Sequence, residues 1–161
     1  MQIRPATLDD AEALRDIYNP YVETTTVTFD LRPRSLEEQR AWLRAHLGVY
    51  PVVVADDGDA ITGFASLSPW RDRPAYRTSV EDSIYVRRDR HGQGLGSRLL
   101  GEIVRLGGEH GFHNILARIV GGHEASIAIH SKHGFEIVGT EREVGRKFNR
   151  WLDVAVMQLL L

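Results

Sequence analysis

The stretch that most restricts the fold is residues 84–96, where a strand-like run leads into a glycine-rich turn and then a helical pattern. The glycines are Gly92, Gly94 and Gly96, and without Cβ atoms they let the main chain approach a ligand closely. Apolar spacing predicts a helix over about 94–110 through Leu95, Leu99, Ile103 and Leu106. Free N–H groups and the dipole at the start of such a helix attract anions, so this segment predicts a phosphate-binding turn.

Two other glycine-rich phosphate loops do not fit this turn. Its spacing is Gly-x-Gly-x-Gly, without the acidic residue that ends the next strand in a dinucleotide-binding fold. No Gly-Lys-Ser/Thr follows, as a P-loop requires. Polar side chains beside the glycines add possible hydrogen-bond donors, namely Gln93, Ser97 and Arg98.

Composition narrows the class of protein. A chain of 161 residues favours one domain spanning 1–161. Because cysteine is absent, disulfides and a cysteine nucleophile are excluded, and transfer from a thioester donor is expected to be direct. The net charge of −2 provides no basic field for nucleic acid, and no apolar run approaches the ~18 residues of a membrane span. We expect a cytoplasmic enzyme or binding domain without nucleic-acid or membrane partners.

Periodicity predicts a mixed α/β domain around a partly parallel sheet, in the order β-α-α-β-β-β-α-β-α-β-β. Capping boxes at Thr7–Asp10 and Ser35–Glu38 open the first two helices, and a threonine-rich loop is expected over 22–34. Further helices are expected over about 94–110 and 124–133. The predicted strands are 2–5, 52–55, 60–68, 78–87, 113–120, 135–144 and 151–160.

Two motifs resemble those of the GNAT superfamily of N-acetyltransferases. The run from His91 to Gly96 is similar to the loop Gln/Arg-x-x-Gly-x-Gly/Ala, although His91 replaces the usual Gln or Arg. Downstream, His123 and His130 stand where the family usually has Asn and Tyr, and Gly134-Phe135 follows. The resemblance implies a GNAT-like fold and acetyl-CoA as cosubstrate. The residues that it assigns to acetyl-CoA are Ile84, Tyr85, Val86, His91, Gly92, Gln93, Gly94, Leu95, Gly96, Ser97, His123 and Ser126.

Within that superfamily, the chain most resembles the phosphinothricin and methionine sulfoximine acetyltransferases. The resemblance rests on residues 3–7, 17–29, 69–86 and 144–158. It implies transfer of an acetyl group to the amine of a small amino-acid-like substrate of the phosphinothricin, methionine sulfoximine or methionine sulfone type. It also implies a homodimer, in which Lys147, Phe148 and Trp151 reach the partner's site.

The catalytic groups follow from the same resemblance. Glu81 is the expected base, acting directly or through a water, and its neighbour Asp82 should point to the opposite face of the strand. A free α-amino group has a pKa of about 7.7–8, so such an acceptor needs only modest help to lose its proton. A backbone N–H of residues 84–86 is expected to stabilise the oxyanion, and His130 to return a proton to the sulfur.

Acceptor-binding residues are expected mainly in the loop 69–77. Its arginines can pair with a carboxylate or phosphinate through two parallel hydrogen bonds, with Arg71 and Arg73 as first choices. Phe29 and Tyr76 are expected to cover apolar parts of the substrate. The full set of substrate residues is Phe29, Arg71, Arg73, Tyr76, Arg77 and Ser83. The histidines show no metal-ligand spacing, so no metal is expected.

Three alternatives stay open at this level. The chain could acetylate a protein or peptide N-terminus or a lysine, which needs an open groove. It could use another acyl donor, such as propionyl-CoA. It could also bind CoA without turnover, a reading that the substitutions His91 and His123 favour slightly.

Overall fold

The computed structural model describes residues 1–161, and its helices and strands follow one another in the predicted order. The strands are β1 Gln2–Pro5, β2 Val52–Asp56, β3 Ile61–Pro69, β4 Ser79–Val86, β5 Asn114–Val120, β6 Glu136–Lys147 and β7 Arg150–Leu160. The helices are α1 Ala11–Thr24, α2 Leu36–His46, α3 Leu95–Glu109 and α4 Glu124–Lys132. The prediction of a mixed α/β domain is therefore confirmed.

All seven strands form one sheet in the order β1-β2-β3-β4-β5-β7-β6. Every neighbouring pair is antiparallel except β4 and β5, which run parallel and are joined by the crossover through α3. That parallel junction is short, because only residues 79–81 of β4 pair with residues 114–116 of β5. Beyond Glu81 the two strands separate, and this opening positions the candidate site.

The hydrophobic core has two parts, one on each face of the sheet. Alternation in β2 shows the division, since Val53 and Ala55 pack on the α3 side while Val52 and Val54 pack on the α1 and α2 side. The predicted stripe of α3 is buried in the first part through Leu95, Leu99 and Ile103, all at most 3% exposed. A strand buried on both faces explains why residues 52–55 are uniformly apolar.

Helix α1 continues to Thr24, into the segment 22–34 that was predicted to be a loop, and contains Pro20 within its last two turns. Proline lacks an N–H and usually interrupts or ends a helix. Val22 is 1% exposed in the core beside Tyr18, and this packing accompanies the continuation of the helix to Thr24. Helix α2 begins as predicted, with a reciprocal capping box between Ser35 and Glu38. None of the helices combines the length and apolar character that crossing a bilayer requires.

Candidate active site

The separation of β4 from β5 opens a cavity of about 740 Å³ in the middle of the sheet. Residues Ser83 to Val86 line one wall, and Ala117 to Val120 line the other. Beyond Glu81, β4 pairs only with β3. The backbone N–H and C=O groups on its other edge, which faces β5, therefore have no strand partner there. Such groups are available to hydrogen-bond a ligand that lies between the strands.

The glycine-rich turn closes one end of this cavity. Gly92 and Gly94 have φ angles of +75° and +74°, in the left-handed region that favours glycine. A Cβ atom at either position would meet nothing within 4 Å, so it is the backbone conformation and not internal packing that requires glycine there. The first hydrogen bond into α3 is donated by Arg98 to the carbonyl of Gly94 at 3.2 Å. The N–H groups of the preceding residues at the helix start are left for an anion.

His91, which departs from the usual family pattern, is held against α1. Its Nε2 lies 2.7 Å from the hydroxyl of Tyr21 and 3.1 Å from the carbonyl oxygen of Val86. The two rings stack with centroids 6.3 Å apart. His91 therefore anchors the turn to α1 and to the end of β4, and it also lines the cavity.

Most residues predicted to bind acetyl-CoA line this one cavity. They are Ile84, Tyr85, Val86, His91, Gly92, Gly94, Leu95, Gly96, Ser97, His123 and Ser126. Gln93 is the exception, since it is exposed and lies outside the lining. The Ser97 hydroxyl is 2.9 Å from Nε2 of His133, which links α3 to α4 beside the turn.

Glu81 and Ser83 share the face of β4 that points towards α1 and α2, together with Tyr85. Their partners across the β3 ladder are Ser68 for Glu81 and Ser66 for Ser83. Burial raises the pKa of Glu81, although the positive charge of Arg118 opposes the shift. A raised pKa increases the proton affinity of a carboxylate, which favours its use as a general base.

Asp82 points to the opposite face, as the strand alternation predicts, and forms a buried pair with His130. The Nε2 of His130 is 2.9 Å from Asp82 Oδ2, and the two side chains are 6% and 2% exposed. On its other side the ring lies 2.7 Å from the carbonyl oxygen of Ser126, through Nδ1. Burial alone would lower the pKa of His130, but the hydrogen bond and charge of Asp82 raise it overall. Both ring nitrogens face oxygen acceptors, which favours the doubly protonated form.

One part of the cavity is roofed by the segment 25–34, which in turn contacts the hairpin between β6 and β7. The Tyr18 hydroxyl donates to Asp30 at 2.6 Å and lies 2.6 Å from the Thr28 hydroxyl. Lys147, predicted to reach a partner subunit, instead donates from Nζ to the carbonyl oxygen of Thr28 at 2.8 Å and is 4% exposed. Burial lowers the pKa of this lysine. In this chain the amine therefore joins the hairpin to the roof segment.

Phe29 lies where it was expected, in the lining of the cavity, and its ring packs against the backbone of Gly145 in β6. A Cβ atom at Gly145 would lie 2.2 Å from that ring. Gly145 therefore makes room for Phe29 at the roof.

The loop 69–77 does not line the cavity, in contrast to the prediction. Arg71, Arg73, Tyr76 and Arg77 are all exposed and absent from the lining. The guanidinium of Arg71 packs instead over the rings of Trp70 and Tyr76, at 5.1 and 5.7 Å. The physical reason is the direction of β4, because this loop joins the start of the strand while the cavity opens towards its end.

Sequence reasoning missed the side chains that form the floor and walls of the cavity beneath the roof segment. They come from α1, α2, β3 and the roof segment, and are Tyr18, Thr28, Arg34, Trp42, Phe64, Ser66 and Ser68. No local motif marks these residues, because they are spread over four elements that are distant in the sequence. Alternation in β3 could have placed Phe64, Ser66 and Ser68 on one face. The structure brings no group of three or more His, Asp or Glu side chains into an arrangement that could hold a metal ion.

Comparison with known proteins places the chain in a family. Residues 3–156 match the family model of the acetyltransferase (GNAT) domain. The chain is 43% identical over 159 residues to a phosphinothricin N-acetyltransferase of Streptomyces coelicolor, covering 96% of this chain and 93% of the relative. It is 41% identical over 162 residues to an L-methionine sulfoximine/L-methionine sulfone acetyltransferase of Pseudomonas paraeruginosa, covering 99% and 94%.

Two solved structures are similar over nearly their whole length. A phosphinothricin acetyltransferase from Sinorhizobium meliloti in complex with acetyl-CoA has a TM-score of 0.95 at 39% identity, covering 99% of this chain and 88% of that one. A ribosomal-protein-alanine N-acetyltransferase from Brucella melitensis has a TM-score of 0.98 at 40% identity, covering 100% of both chains.

The chain belongs to the GNAT acetyltransferase family, and the resemblance seen in the sequence is confirmed. It is an acetyl-CoA-dependent N-acetyltransferase. The residues present fit the donor, because the open space over Gly92 and Gly94 and the helix start beyond them suit its pyrophosphate. The gap between β4 and β5 offers a channel for the rest of the molecule.

Proposed function

We propose that this chain is a cytoplasmic enzyme that transfers an acetyl group from acetyl-CoA to the primary amine of a small amino-acid-like molecule. The class of acceptor is that of phosphinothricin, methionine sulfoximine and methionine sulfone, on which the curated relatives act by name. One observation carries the proposal: a single cavity of about 740 Å³ contains both the glycine-rich turn and Glu81. Donor and base therefore meet in a space suited to a small acceptor.

In this mechanism Glu81 removes the proton from the acceptor ammonium, directly or through a water. Its raised pKa favours this proton transfer, since the pKa of an α-amino group is about 7.7–8. Ser83, on the same face of β4, is positioned to hold the acceptor. Bound acetyl-CoA supplies the acetyl group as a thioester, which the neutral amine attacks while the sulfur leaves as a thiolate.

We assign stabilisation of the oxyanion to a backbone N–H of residues 84–86. The separation of β4 from β5 supports this role, because it leaves backbone groups of β4 without a strand partner. His130 has no free N–H in the structure, since its two ring nitrogens face Asp82 and the carbonyl of Ser126. We therefore propose that His130 assists the leaving thiolate through its positive charge and releases a proton only if one of these contacts breaks.

We further propose a homodimer formed through the hairpin of β6 and β7. Strand β6 is an edge of the sheet, and apolar side chains remain exposed along the hairpin. Phe148 and Trp151 are 53% and 59% exposed, together with Val144 at 47%. Light scattering after gel filtration tests this assembly, and a monomer at micromolar concentration would contradict it.

The decisive experiment measures free-thiol release from acetyl-CoA with a panel of amines. The panel contains phosphinothricin, methionine sulfoximine, methionine sulfone, common amino acids, a polyamine and a short peptide. We expect turnover with the first three and little with the polyamine. Absence of turnover with all three amino-acid analogues would refute the proposed acceptor class.

Acetylation of a peptide N-terminus is a second candidate, because one similar structure carries the name of a ribosomal-protein-alanine N-acetyltransferase. The roof segment argues against it, since Phe29 lines the cavity and the bond from Lys147 to Thr28 fixes this segment over it. A peptide beginning with Ser-Ala and one beginning with Ala-Arg complete the panel. Turnover of these peptides at rates above those of the amino-acid analogues would favour this second function.

A further inference from the structure

Three arginines line the cavity, and they differ in what holds them. Arg90, near the glycine turn, donates a hydrogen bond to Asp57 at 2.9 Å. Arg118 in β5 donates one to Glu141 in β6 at 3.0 Å. Arg34 lies at the opposite end, between α1 and α2, in the roof segment on the acceptor side. It is the arginine positioned to meet the acceptor's side chain.

The backbone of Arg34 is fixed from both sides by one residue of α1. The side chain of Asn19 donates to the carbonyl of Arg34 and accepts from its N–H, each at 2.9 Å. The guanidinium then lies over the ring of Tyr18 at 4.2 Å and over Trp42 at 5.5 Å. A cation held on two aromatic faces loses little freedom when it binds an anion, which favours binding.

The guanidinium keeps unused hydrogen-bond donors. It bonds to Asp30 and to Gln39, both at the long distance of 3.3 Å. Of its five N–H groups, two are used in these contacts. The Asp30 oxygen that accepts from Arg34 also accepts a hydrogen bond from the hydroxyl of Tyr18 at 2.6 Å. Arg34 can therefore offer a fork of donors to a ligand without losing its support.

A second polar group on the floor of the cavity has no partner. The hydroxyl of Ser66 in β3 is buried, its residue is 1% exposed, and it forms no hydrogen bond. The next residue on the same face, Ser68, is already bonded to His46 at 2.8 Å. A buried hydroxyl without a partner is costly, so a ligand oxygen or a water that reaches it is stabilised.

From these observations we propose that Arg34 and Ser66 form the subsite for an anionic oxygen group at the far end of the acceptor's side chain. This inference rests on the proposed amine acceptor and specifies which acceptors are preferred. A phosphinate or carboxylate placed there gains a charge-assisted hydrogen bond from Arg34, whereas a neutral sulfone gains a weaker one. The exposed loop 69–77 does not provide this selectivity.

The test compares two acceptors that differ in side-chain charge, phosphinothricin and methionine sulfone. For Arg34→Gln we expect kcat/KM for phosphinothricin to fall about 10- to 100-fold, mainly through KM, since charged hydrogen bonds contribute at this level. With methionine sulfone we expect a change below about threefold. Arg34→Lys, which keeps the charge, should retain much of the preference, and Ser66→Ala should weaken both acceptors about threefold.

Two further variants make the comparison specific. Arg44→Gln on the outer surface of α2 removes a paired arginine that is 53% exposed and should change neither acceptor. Arg73→Gln tests the loop that the sequence favoured. If Arg73→Gln abolishes the preference for phosphinothricin while Arg34→Gln leaves it unchanged, the inference is wrong.

Binding of phosphinothricin in the presence of CoA, measured by calorimetry, separates this inference from the proposed function. Wild-type binding that Arg34→Gln abolishes, without turnover of any amine, would refute the proposed function and support the subsite. Turnover of both acceptors with the same ratio in wild type and Arg34→Gln would support the proposed function and refute the subsite. Failure of wild type to bind phosphinothricin would also refute the subsite.

Discussion

The two sides of the cavity are built in different ways. The donor side is made largely of main chain, from the end of β4 and the glycine turn, which are continuous over residues 84–96. The acceptor side is made of side chains that come from α1, α2, β3, β4 and the roof segment. Backbone recognition tolerates many side chains, whereas a surface of separate side chains can change its preference one residue at a time. We therefore expect donor binding and acceptor choice to respond to different mutations.

The largest effect should come from Glu81→Gln, which removes the base and leaves the donor side intact. We expect kcat/KM to fall about 10²- to 10⁴-fold, the usual contribution of general base catalysis. The affinity for CoA, measured by calorimetry, should stay within about twofold of wild type. Glu37→Gln on the outer face of α2 serves as the control. A rate above a tenth of wild type would exclude Glu81 as the base.

The raised pKa of Glu81 also predicts the pH dependence of both rate and stability. Activity should fall as pH decreases through this raised pKa, because the base must be unprotonated. For stability the sign is opposite: ionisation of the buried carboxyl costs more in the folded state, so Glu81 destabilises the fold at neutral pH. Glu81→Gln should therefore melt above wild type near pH 8, and the difference should vanish in acid.

The contrast between Glu81 and its neighbour Asp82 shows where sequence reasoning reaches its limit. Alternation along β4 correctly predicts that the two carboxylates point to opposite faces of the strand. Motif spacing correctly predicts that the glycine turn and His123 lie in one site, since both line the cavity. Neither could show that Asp82 would meet His130, which lies 48 positions further along the chain. That contact depends on how α4 packs against β4, and packing distances are not encoded in local periodicity.

The same limit applies to the loop 69–77, whose arginines are exposed and lie outside the lining of the cavity. Arg71 and Arg73 were predicted to bind the acceptor because a guanidinium pairs well with an anion. Residue type alone, however, does not determine where a side chain points. The loop connects β3 to the start of β4, so its side chains leave the sheet away from the opening. Arg34, for which we propose this role, lines the cavity from a segment that carried no motif.

The second prediction concerns the stability of the Asp82–His130 pair. Asp82→Asn keeps a carbonyl oxygen as acceptor but removes the negative charge that stabilises the protonated imidazole, so we expect a loss of about 1–3 kcal/mol in the free energy of unfolding. A histidine with a raised pKa stabilises the fold fully below its unfolded pKa of about 6.5, and the contribution is lost as pH rises through the folded pKa. The difference from wild type should thus be largest near pH 6 and smaller near pH 9.

Chemical denaturation at several pH values measures this difference. Asp89→Asn, in an exposed pair with Arg87 at 2.8 Å, is the control and should show no such pH dependence. If Asp82→Asn were as stable as wild type at pH 6, the buried pair would not have the charge state assigned to it.

The third prediction isolates the donor side. Gly94→Ala forces a Cβ into a left-handed conformation, costing roughly 1–2 kcal/mol, and places a methyl group over the open space of the turn. We expect CoA affinity to fall about tenfold while KM for the acceptor stays unchanged. Gly111→Ala, at the other end of α3 with φ of +79° and open space around it, carries the same strain without facing the cavity. Equal losses of CoA affinity in both variants would show that strain alone is responsible.

The smallest effect should come from the acceptor roof. Gly145→Ala would place a Cβ 2.2 Å from the ring of Phe29 and push that ring from its position. We expect KM for the acceptor to rise about threefold with CoA affinity unchanged, since a shifted aromatic contact is worth about 0.5–1.5 kcal/mol. Gly139→Ala, in the same strand with nothing within 4 Å, is the control. A matching rise in the control would remove Phe29 from the acceptor site.

The short junction between β4 and β5 has a consequence for the lifetime of the protein. Three residue pairs join the strands at the centre of the sheet, and beyond them the strands diverge around the cavity in which we place acetyl-CoA. A ligand that binds the folded chain alone stabilises it by about 2.7 kcal/mol at a hundredfold excess over its Kd. We expect proteases to degrade the chain more slowly when acetyl-CoA is abundant. The half-life of the enzyme would then depend on the concentration of its own cosubstrate.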